Sequence, residues 1–209
     1  MGPAGSAPRI PSKAGGPMNI EPLICRHLGS ASEWKRLAFM ASCCEPMLLN
    51  FRLYHEASRL GSPDLLRRGL DFAWQTARDD TVDGEADELV KPSRLQAPSR
   101  HDEGHSFAQA AIQTCFAISH TLRSLRGPRV LDALDVADAS IYAIELHYRN
   151  ELFLTKRTRS DREFLRRTEI MRLAKSLERL SAAPERDRLK AVARLRCSAQ
   201  RAPSTLVRA

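Results

Sequence analysis

Three aspartates near the start of a predicted helix are candidates for acid–base chemistry. Asp132, Asp135 and Asp138 follow one another at three-residue steps, so they lie close together on a helix. Carboxylates held on one face can serve as general acids and bases. No partner histidine or lysine is indicated beside them, and acidic side chains at a helix start also stabilise the helix dipole. We interpret the three residues as structural.

Two further patterns resemble metal sites. His101 and His105 are four residues apart, a spacing that places two ligands on one face of a helix, but the acidic, glycine-containing stretch between them favours a loop or a helix start. With Asp79 as the first position of a calcium loop, Gly84 takes the sixth position as required. Val90 then takes the twelfth, where a bidentate glutamate is needed. We predict no metal site and no cofactor.

The other sequence signals of catalysis are missing. The chain has no glycine-rich phosphate loop, no HExxH and no GxSxG motif. Its five cysteines are odd in number and have no zinc-site or CxxC spacing, which predicts mostly buried free thiols in a reducing cytoplasm. They are Cys25, Cys43, Cys44, Cys115 and Cys197. The prediction is therefore a protein that is not an enzyme.

Positive charge is concentrated at the C-terminal end of the chain. The formal net charge is +8, and residues 149–209 contain 17 Lys and Arg against 7 Asp and Glu. Residues 1–148 are close to neutral. This distribution predicts a molecule with a slightly acidic body and a basic end.

The basic residues decorate two predicted helices joined by a short turn, an arrangement similar to a helix-turn-helix motif. Arg166, Arg167, Arg194 and Arg196 are our candidates for a basic interaction surface. The first helix is long for that motif, and few aromatic residues are present to stack on bases. We favour a solvated face or one that docks on an acidic partner, with nucleic-acid binding as the alternative. Arginine-rich codon usage would also produce this bias without any function.

Apolar residues recur at three- and four-residue steps along most of the chain, which predicts amphipathic helices. The predicted apolar stripes span residues 34–51, 66–77, 107–125, 130–148 and 164–177. A last basic helix follows Pro184. Sustained β alternation is absent, so we predict an all-α bundle of six or seven helices.

Local signals predict where these helices begin and end. Pro46 predicts a kink or a break inside the first long helix, because proline lacks the backbone N–H. Ser62 is predicted to cap the following helix, with Pro63 in its first turn. Residues 79–102 contain seven acids and two prolines, which predicts a loop with at most one short turn.

The domain limits follow from composition. Residues 1–18 are rich in glycine and proline and are predicted to form a disordered tail, with Met18 as a candidate start. Residues 19–198 are predicted to form the helical domain, and residues 199–209 a disordered basic tail. No apolar run approaches the roughly 18 residues that cross a bilayer.

A series of residues in the first half of the chain forms a pattern shared with a known family. In chain order these are Trp34, Phe39-Met40-Ala41, Cys44-Glu45, Met47, Asn50, Arg67-Arg68, Leu70-Asp71 and Trp74-Gln75-Thr76, with weaker matches as far as Glu145. The pattern resembles the YjaG-like family of bacterial helical proteins, whose role is not established. The resemblance implies an all-α fold and names no catalytic residue. This chain departs from the family at Pro46 and in its strongly basic C-terminal helices.

Glu45, Asp71 and Trp74 are the matching residues to which a role is most readily assigned. We expect the two acids to pair with Arg67, Arg68 or helix ends, and Trp74 to lie in the core, since structural ion pairs outnumber functional sites. The alternative is a carboxylate site around Glu45 and Asp71.

These observations favour a non-enzymatic cytoplasmic protein that interacts with other proteins. Its acidic and basic surfaces suit charge-complementary association, either with a partner, as in an immunity-type protein that neutralises a toxin, or with itself. The second hypothesis is nucleic-acid binding through residues 160–200. No membrane association is predicted.

Overall fold

The computed structural model consists of helices joined by short connections. It describes residues 19–79, 81, 85–99, 104, 107–152 and 159–201. Within those ranges there are eight α-helices and no strand. They are α1 (Glu21–Leu28), α2 (Glu33–Ser58), α3 (Pro63–Asp79), α4 (Glu85–Leu95), α5 (Ala108–Arg123), α6 (Val130–Leu152), α7 (Arg159–Ala182) and α8 (Arg188–Gln200), with a 3₁₀ turn at Glu185–Asp187 before α8. The all-α prediction is confirmed, with one or two helices more than expected.

Helix α4 lies in the stretch that was predicted to be a loop, and that prediction is wrong. Leu89 and Ser93 are buried where α4 packs on α3 and α5. Pro92 lies in the helix, and its carbonyl accepts a hydrogen bond from the Gln96 side chain at 3.3 Å. Burial against two neighbouring helices outweighs the weak local helical signal.

Helix α2 runs through the centre of the molecule. Buried residues occur on all its sides, so it has no polar stripe. Helices α3, α5, α6, α7 and α8 all pack on it. None of the described helices is long and apolar enough to cross a membrane.

The chain passes through Pro46 without a break in α2. Proline cannot donate the hydrogen bond that the carbonyl four residues earlier, that of Ser42, would otherwise accept. Arg172 of α7 supplies a donor instead, with its Nη1 atom 3.0 Å from the Ser42 oxygen. A long-range side chain therefore satisfies the polar group that the proline leaves open.

The predicted start of α3 is confirmed. The Ser62 hydroxyl accepts a hydrogen bond from the Leu65 amide at 3.3 Å, as an N-cap should, and Pro63 is the first residue of the helix. Gly61 has a φ of 74°, and a Cβ atom there would lie 2.6 Å from the Phe51 ring. Only glycine fits this turn.

At the C-terminal end, α7 and α8 pack on different neighbours. Helix α8 lies mainly on α2 and α3, whereas α7 lies on α1, α2 and α6. A groove remains between them. Helix α8 extends to Gln200, two residues into the segment predicted as a tail; residues 1–18 and 202–209 lie outside the described residues.

Candidate functional site

A buried polar network joins α2, α3 and α8. Glu45 of α2 accepts hydrogen bonds from both terminal nitrogens of Arg67, at 2.6 and 3.2 Å, and from Trp74 Nε1 at 2.8 Å. Burial by itself would raise the pKa of Glu45, but the donors of Arg67 and Trp74 outweigh it and hold that pKa below its ordinary value. Glu45 is thus a saturated carboxylate that stays ionised.

Asp71 extends this network to the C-terminal helix. It accepts from Arg67 Nη2 at 2.8 Å and from the guanidinium of Arg196 on α8. Gln200, one turn further along α8, bonds to Glu45. Glu45, Asp71 and Trp74 are therefore neighbours, and Arg196 of the basic set joins them. The expected pairing of both acids with Arg67 is observed.

The other end of α8 is held by a second polar cluster. Glu185 accepts from Ser32 Oγ at 3.0 Å and from the Trp34 indole at the start of α2, and Lys35 lies 3.4 Å away. Arg188 donates to two carbonyls at the end of α3, those of Thr76 and Ala77. Both ends of α8 are thus fixed to α2 and α3 by polar contacts.

The groove between α7 and α8 has a volume of about 1310 Å³. Its apolar lining combines side chains of α2, α6, α7 and α8, among them Met47, Ile144, Leu165, Leu180 and Leu195. No aromatic side chain lines it among the described residues. The groove is therefore an open apolar surface bordered by the two most basic helices.

Five cations border this groove without a carboxylate partner among the residues that the structure describes. They are Lys175, Arg179, Lys190, Arg194 and Arg201. Arg179 donates to the hydroxyl of Ser198 at 2.7 Å, which leaves its charge uncompensated. Two acids line the groove among the described residues, Asp187 beside these cations and Glu169 on the floor. The rim consequently carries a clear excess of positive charge.

The floor of the groove contains a charge pair that is already balanced. Glu169 accepts from Arg172 Nε at 2.7 Å and from Ser140 Oγ at 2.7 Å. Burial would raise the pKa of Glu169, but Arg172 outweighs it and lowers that pKa. The positive charge of the groove therefore comes from the rim.

A family model described as a protein of unknown function, DUF416, matches residues 24–202 of the chain. The chain belongs to this family. The match extends from α1 through α8, so the buried network and the groove both lie inside the family's domain. The predicted resemblance to the YjaG-like family is confirmed.

Relatives in this family carry little functional information. The chain is 27% identical over 114 residues to the uncharacterized protein YjaG of Escherichia coli, and 26% identical to that of Salmonella typhimurium. Each match covers 54% of this chain and 58% of the relative, so the chain spans less than two thirds of these proteins. A crystal structure of a DUF416 family protein from Shewanella baltica matches 83% of this chain and 91% of its own, with a TM-score of 0.70 and 19% identity, which supports the fold.

Within this DUF416 domain, the four arginines chosen from sequence lie in different surroundings. Arg166 is 3.5 Å from Glu145 of α6, and Arg167 is 3.0 Å from Glu163 of its own helix. Arg196 pairs with Asp71. Only Arg194 borders the groove. Lys175, Arg179 and Lys190 were recognised as basic residues of these helices but were not among the four candidates. They and Arg201 become neighbours of Arg194 only when α7 and α8 pack side by side.

Asp132 has a histidine partner that the sequence pattern did not indicate. His120 Nε2 of α5 lies 3.2 Å from Asp132 and 3.7 Å from Asp135. Arg129 also binds Asp132, through its backbone amide at 2.8 Å and its guanidinium at 3.0 Å. Burial opposes ionisation of Asp132, but the bonds from Arg129 and His120 lower its pKa overall. These contacts secure the turn between α5 and α6.

The remaining chemical candidates are inert or lie outside the described residues. Burial raises the pKa of Cys43 and Cys115, and raises that of Cys44 to about 12, so these thiols stay protonated and are poor nucleophiles. His101 and His105 fall outside the described residues, as does much of the acidic stretch after Asp79. No cluster of three or more metal-binding side chains occurs in the part of the chain that the structure describes.

Proposed function

We propose that this protein is a non-enzymatic interaction module whose groove between α7 and α8 binds an acidic, amphipathic surface of a protein partner. The observation that carries the proposal is the rim of five cations without carboxylate partners above an apolar floor. Exposed apolar surface bordered by charge is typical of protein interaction sites. Uncompensated rim charge steers partners of the opposite sign and selects among them.

The dimensions of the groove suit a helix. The volume of the groove, about 1310 Å³, and its position between two helices leave room for a short helical segment. Helix-in-groove binding uses an apolar stripe for affinity and flanking charges for orientation. Leu49 and Ile144 of the lining, which are partly exposed, would meet such a stripe, and Lys190 and Arg194 would meet its carboxylates.

The interior supports a binding role over a catalytic one. The buried carboxylates of Glu45 and Glu169 are saturated by donors, and the buried thiols are protonated. General bases and nucleophiles need the opposite condition, with a free lone pair facing a cleft. All five cysteines are free, which suits a reducing cytoplasm. An immunity-type role is one form that such a module can take.

A protein partner fits the groove better than a nucleic acid does. Single-stranded nucleic acid is held by aromatic side chains that stack on bases, and the described groove lining contains none. Three of the four arginines first suggested for phosphate contacts already have intramolecular carboxylate partners. The apolar floor would contribute nothing to a phosphate backbone.

The test is affinity capture from the native host with matched variants. The groove variant is Lys190→Glu with Arg194→Glu. The control is Arg52→Glu with Arg68→Glu, which reverses two exposed charges away from the groove. We expect wild type and control to retain one partner that the groove variant loses. Carbodiimide, which joins amines to carboxylates, should cross-link Lys175 or Lys190 to acidic residues of that partner.

Equal capture by the groove variant would contradict the proposal. Captured material that nuclease removes would favour nucleic acid as the ligand. Because exposed substitutions usually change stability by less than about 0.5 kcal/mol, both variants should unfold at the same urea concentration as wild type.

A further inference from the structure

Helix α6 exposes a stripe that combines apolar and acidic side chains. Leu131, Asp135, Asp138 and Tyr142 are separated by steps of four, three and four residues, so they lie on one face of the helix. Leu131 is 64% exposed and Tyr142 is 42% exposed, and both aspartates between them face solvent. We call these four residues the α6 stripe.

The apolar character of the stripe continues onto α5. Phe116 is 45% exposed, and its ring lies 5.5 Å from that of His120, which itself contacts Asp135. Three large apolar side chains thus remain in solvent around an acidic centre. Large exposed apolar side chains grouped in this way are typical of interaction sites.

The acidic centre of the stripe is only partly neutralised, because Asp135 lies 3.7 Å from His120 and interacts with Arg129, whereas Asp138 has no such contact in the described part of the chain. Asp138 has no ion pair among the described residues, and Asp135 and Glu21 are its acidic neighbours. Partial burial, and then the repulsion of these two charges, raise the pKa of Asp138, and the opposing effect of Arg166 is smaller. Cations from outside the chain would relieve this repulsion.

The α6 stripe is acidic and the rim of the groove is basic, so their charges are complementary. Each surface places its charges beside apolar surface. They cannot meet within one copy of the chain. Helix α6 contributes Ser140 and Ile144 to the groove, and these lie two residues after Asp138 and Tyr142. Two residues correspond to a rotation of about 200° on a helix, so the stripe and the groove lie on opposite sides of α6.

We propose that the groove between α7 and α8 receives the α6 stripe of a second copy of this chain. The inference rests on the proposed function of the groove and specifies its occupant. Lys190 and Arg194 of one copy face Asp135 and Asp138 of the other, while Leu131 and Tyr142 pack on the apolar lining. Because the two contacting surfaces differ, the contact is heterologous, and copies join head to tail into a ring or a chain.

The test measures mass in solution with charge-reversed pairs. One variant reverses the stripe, with Asp135→Lys and Asp138→Lys. The other reverses the groove, with Lys190→Glu and Arg194→Glu. In analytical ultracentrifugation at low salt, wild type should assemble as its concentration rises. Each variant alone should need a protein concentration at least about tenfold higher than wild type to assemble to the same extent.

Mixing the two variants is the decisive step. The groove variant still has its acidic stripe, which can bind the unaltered basic groove of the stripe variant. The stripe variant has a basic stripe, which can bind the acidic groove of the groove variant. We expect the mixture to recover the assembly that neither variant forms alone. The control pair Arg52→Glu and Arg68→Glu should assemble as wild type does. Circular dichroism of each variant establishes that loss of assembly is not loss of folding.

The outcomes separate this inference from the function on which it rests. Wild type that stays monomeric at all concentrations, or assembly that survives both reversals, would overturn the second copy as occupant. The groove would still be supported if its variant lost a captured host protein that wild type retained. Assembly that is rescued by mixing would support the inference even with no other partner.

Discussion

The two edges of α8 differ in how their cations are neutralised. On the edge toward α2 and α3, Arg188 donates to two backbone carbonyls and Arg196 pairs with Asp71. On the edge toward α7, Lys190 and Arg194 have no carboxylate partner among the described residues. One edge attaches the helix to the domain, and the other is available for a partner. The number of basic residues in a helix therefore does not identify its binding surface; the neighbouring side chains do.

The largest expected effect on stability is at Glu45, which lies beneath the edge of α8 that contacts α2 and α3. Glu45→Ala leaves Arg67 and Trp74 without their shared acceptor, so the free energy of unfolding should fall by about 4 kcal/mol, as when one partner of a buried pair is removed. Urea denaturation measures the change. Glu33→Ala, at an exposed position of the same helix, is the control. A loss below about 1 kcal/mol would mean that the network contributes little.

The second prediction concerns the floor of the groove. Arg172→Leu removes the partner of Glu169 and the donor to the Ser42 carbonyl, and should cost about 3 kcal/mol of unfolding free energy. Pro46→Ala restores a backbone N–H that can donate to Ser42 within α2. In a double-mutant cycle measured with urea, the loss from Arg172→Leu should therefore be about 1 kcal/mol smaller in the Pro46→Ala background. If the losses from the two substitutions were strictly additive, Arg172 would not be compensating for the backbone N–H that Pro46 lacks.

The third prediction concerns acid stability. The pKa values of Glu45 and Glu169 are held below 4.5, the ordinary value for glutamate, by their donors. A depressed pKa contributes stability that is fully present above the unfolded-state value and is lost as pH falls through the folded-state value. Stability should thus decline below about pH 4.5, and Glu45→Gln should show a shallower decline. Urea midpoints between pH 6 and pH 3 measure both slopes, with Glu33→Gln expected to follow wild type.

The smallest effect tests the comparison of the two edges directly. Arg196→Ala removes a partly exposed ion pair with Asp71 and should cost about 0.5 to 1 kcal/mol. Arg194→Ala, two residues earlier on the same helix, should leave stability unchanged but weaken partner binding. Paired urea and binding measurements give the two patterns. If Arg196→Ala weakened binding and spared stability, the assignment of the edges would be reversed.

Most helices could be predicted from the chain because their signals are local. Apolar spacing identified the long helices, and Ser62 with Pro63 identified the start of α3. Helix α4 was missed because its stability comes from packing on α3 and α5, where Leu89 is buried. Propensity describes a segment by itself, and contacts with distant segments can override it.

The candidate site, too, could be predicted only in part from the sequence. Glu45, Asp71 and Trp74 could be named from the family pattern, and Arg67 was one of the expected partners, beside Arg68 and the helix ends. Their link to Arg196, 125 residues from Asp71, could not be anticipated. No spacing rule relates residues so far apart, since their contact depends on how the intervening helices pack.

Residue types and local periods were enough to establish an all-α chain with a basic C-terminal end, because helix formation and net charge are properties of short segments. Packing decided which basic residues are neutralised and which border an open groove. A charge is compensated by whatever lies within a few ångströms of it, and in a folded chain those neighbours come from several helices. The groove, the network beneath α8 and the exposed α6 stripe therefore appear only when the helices are assembled.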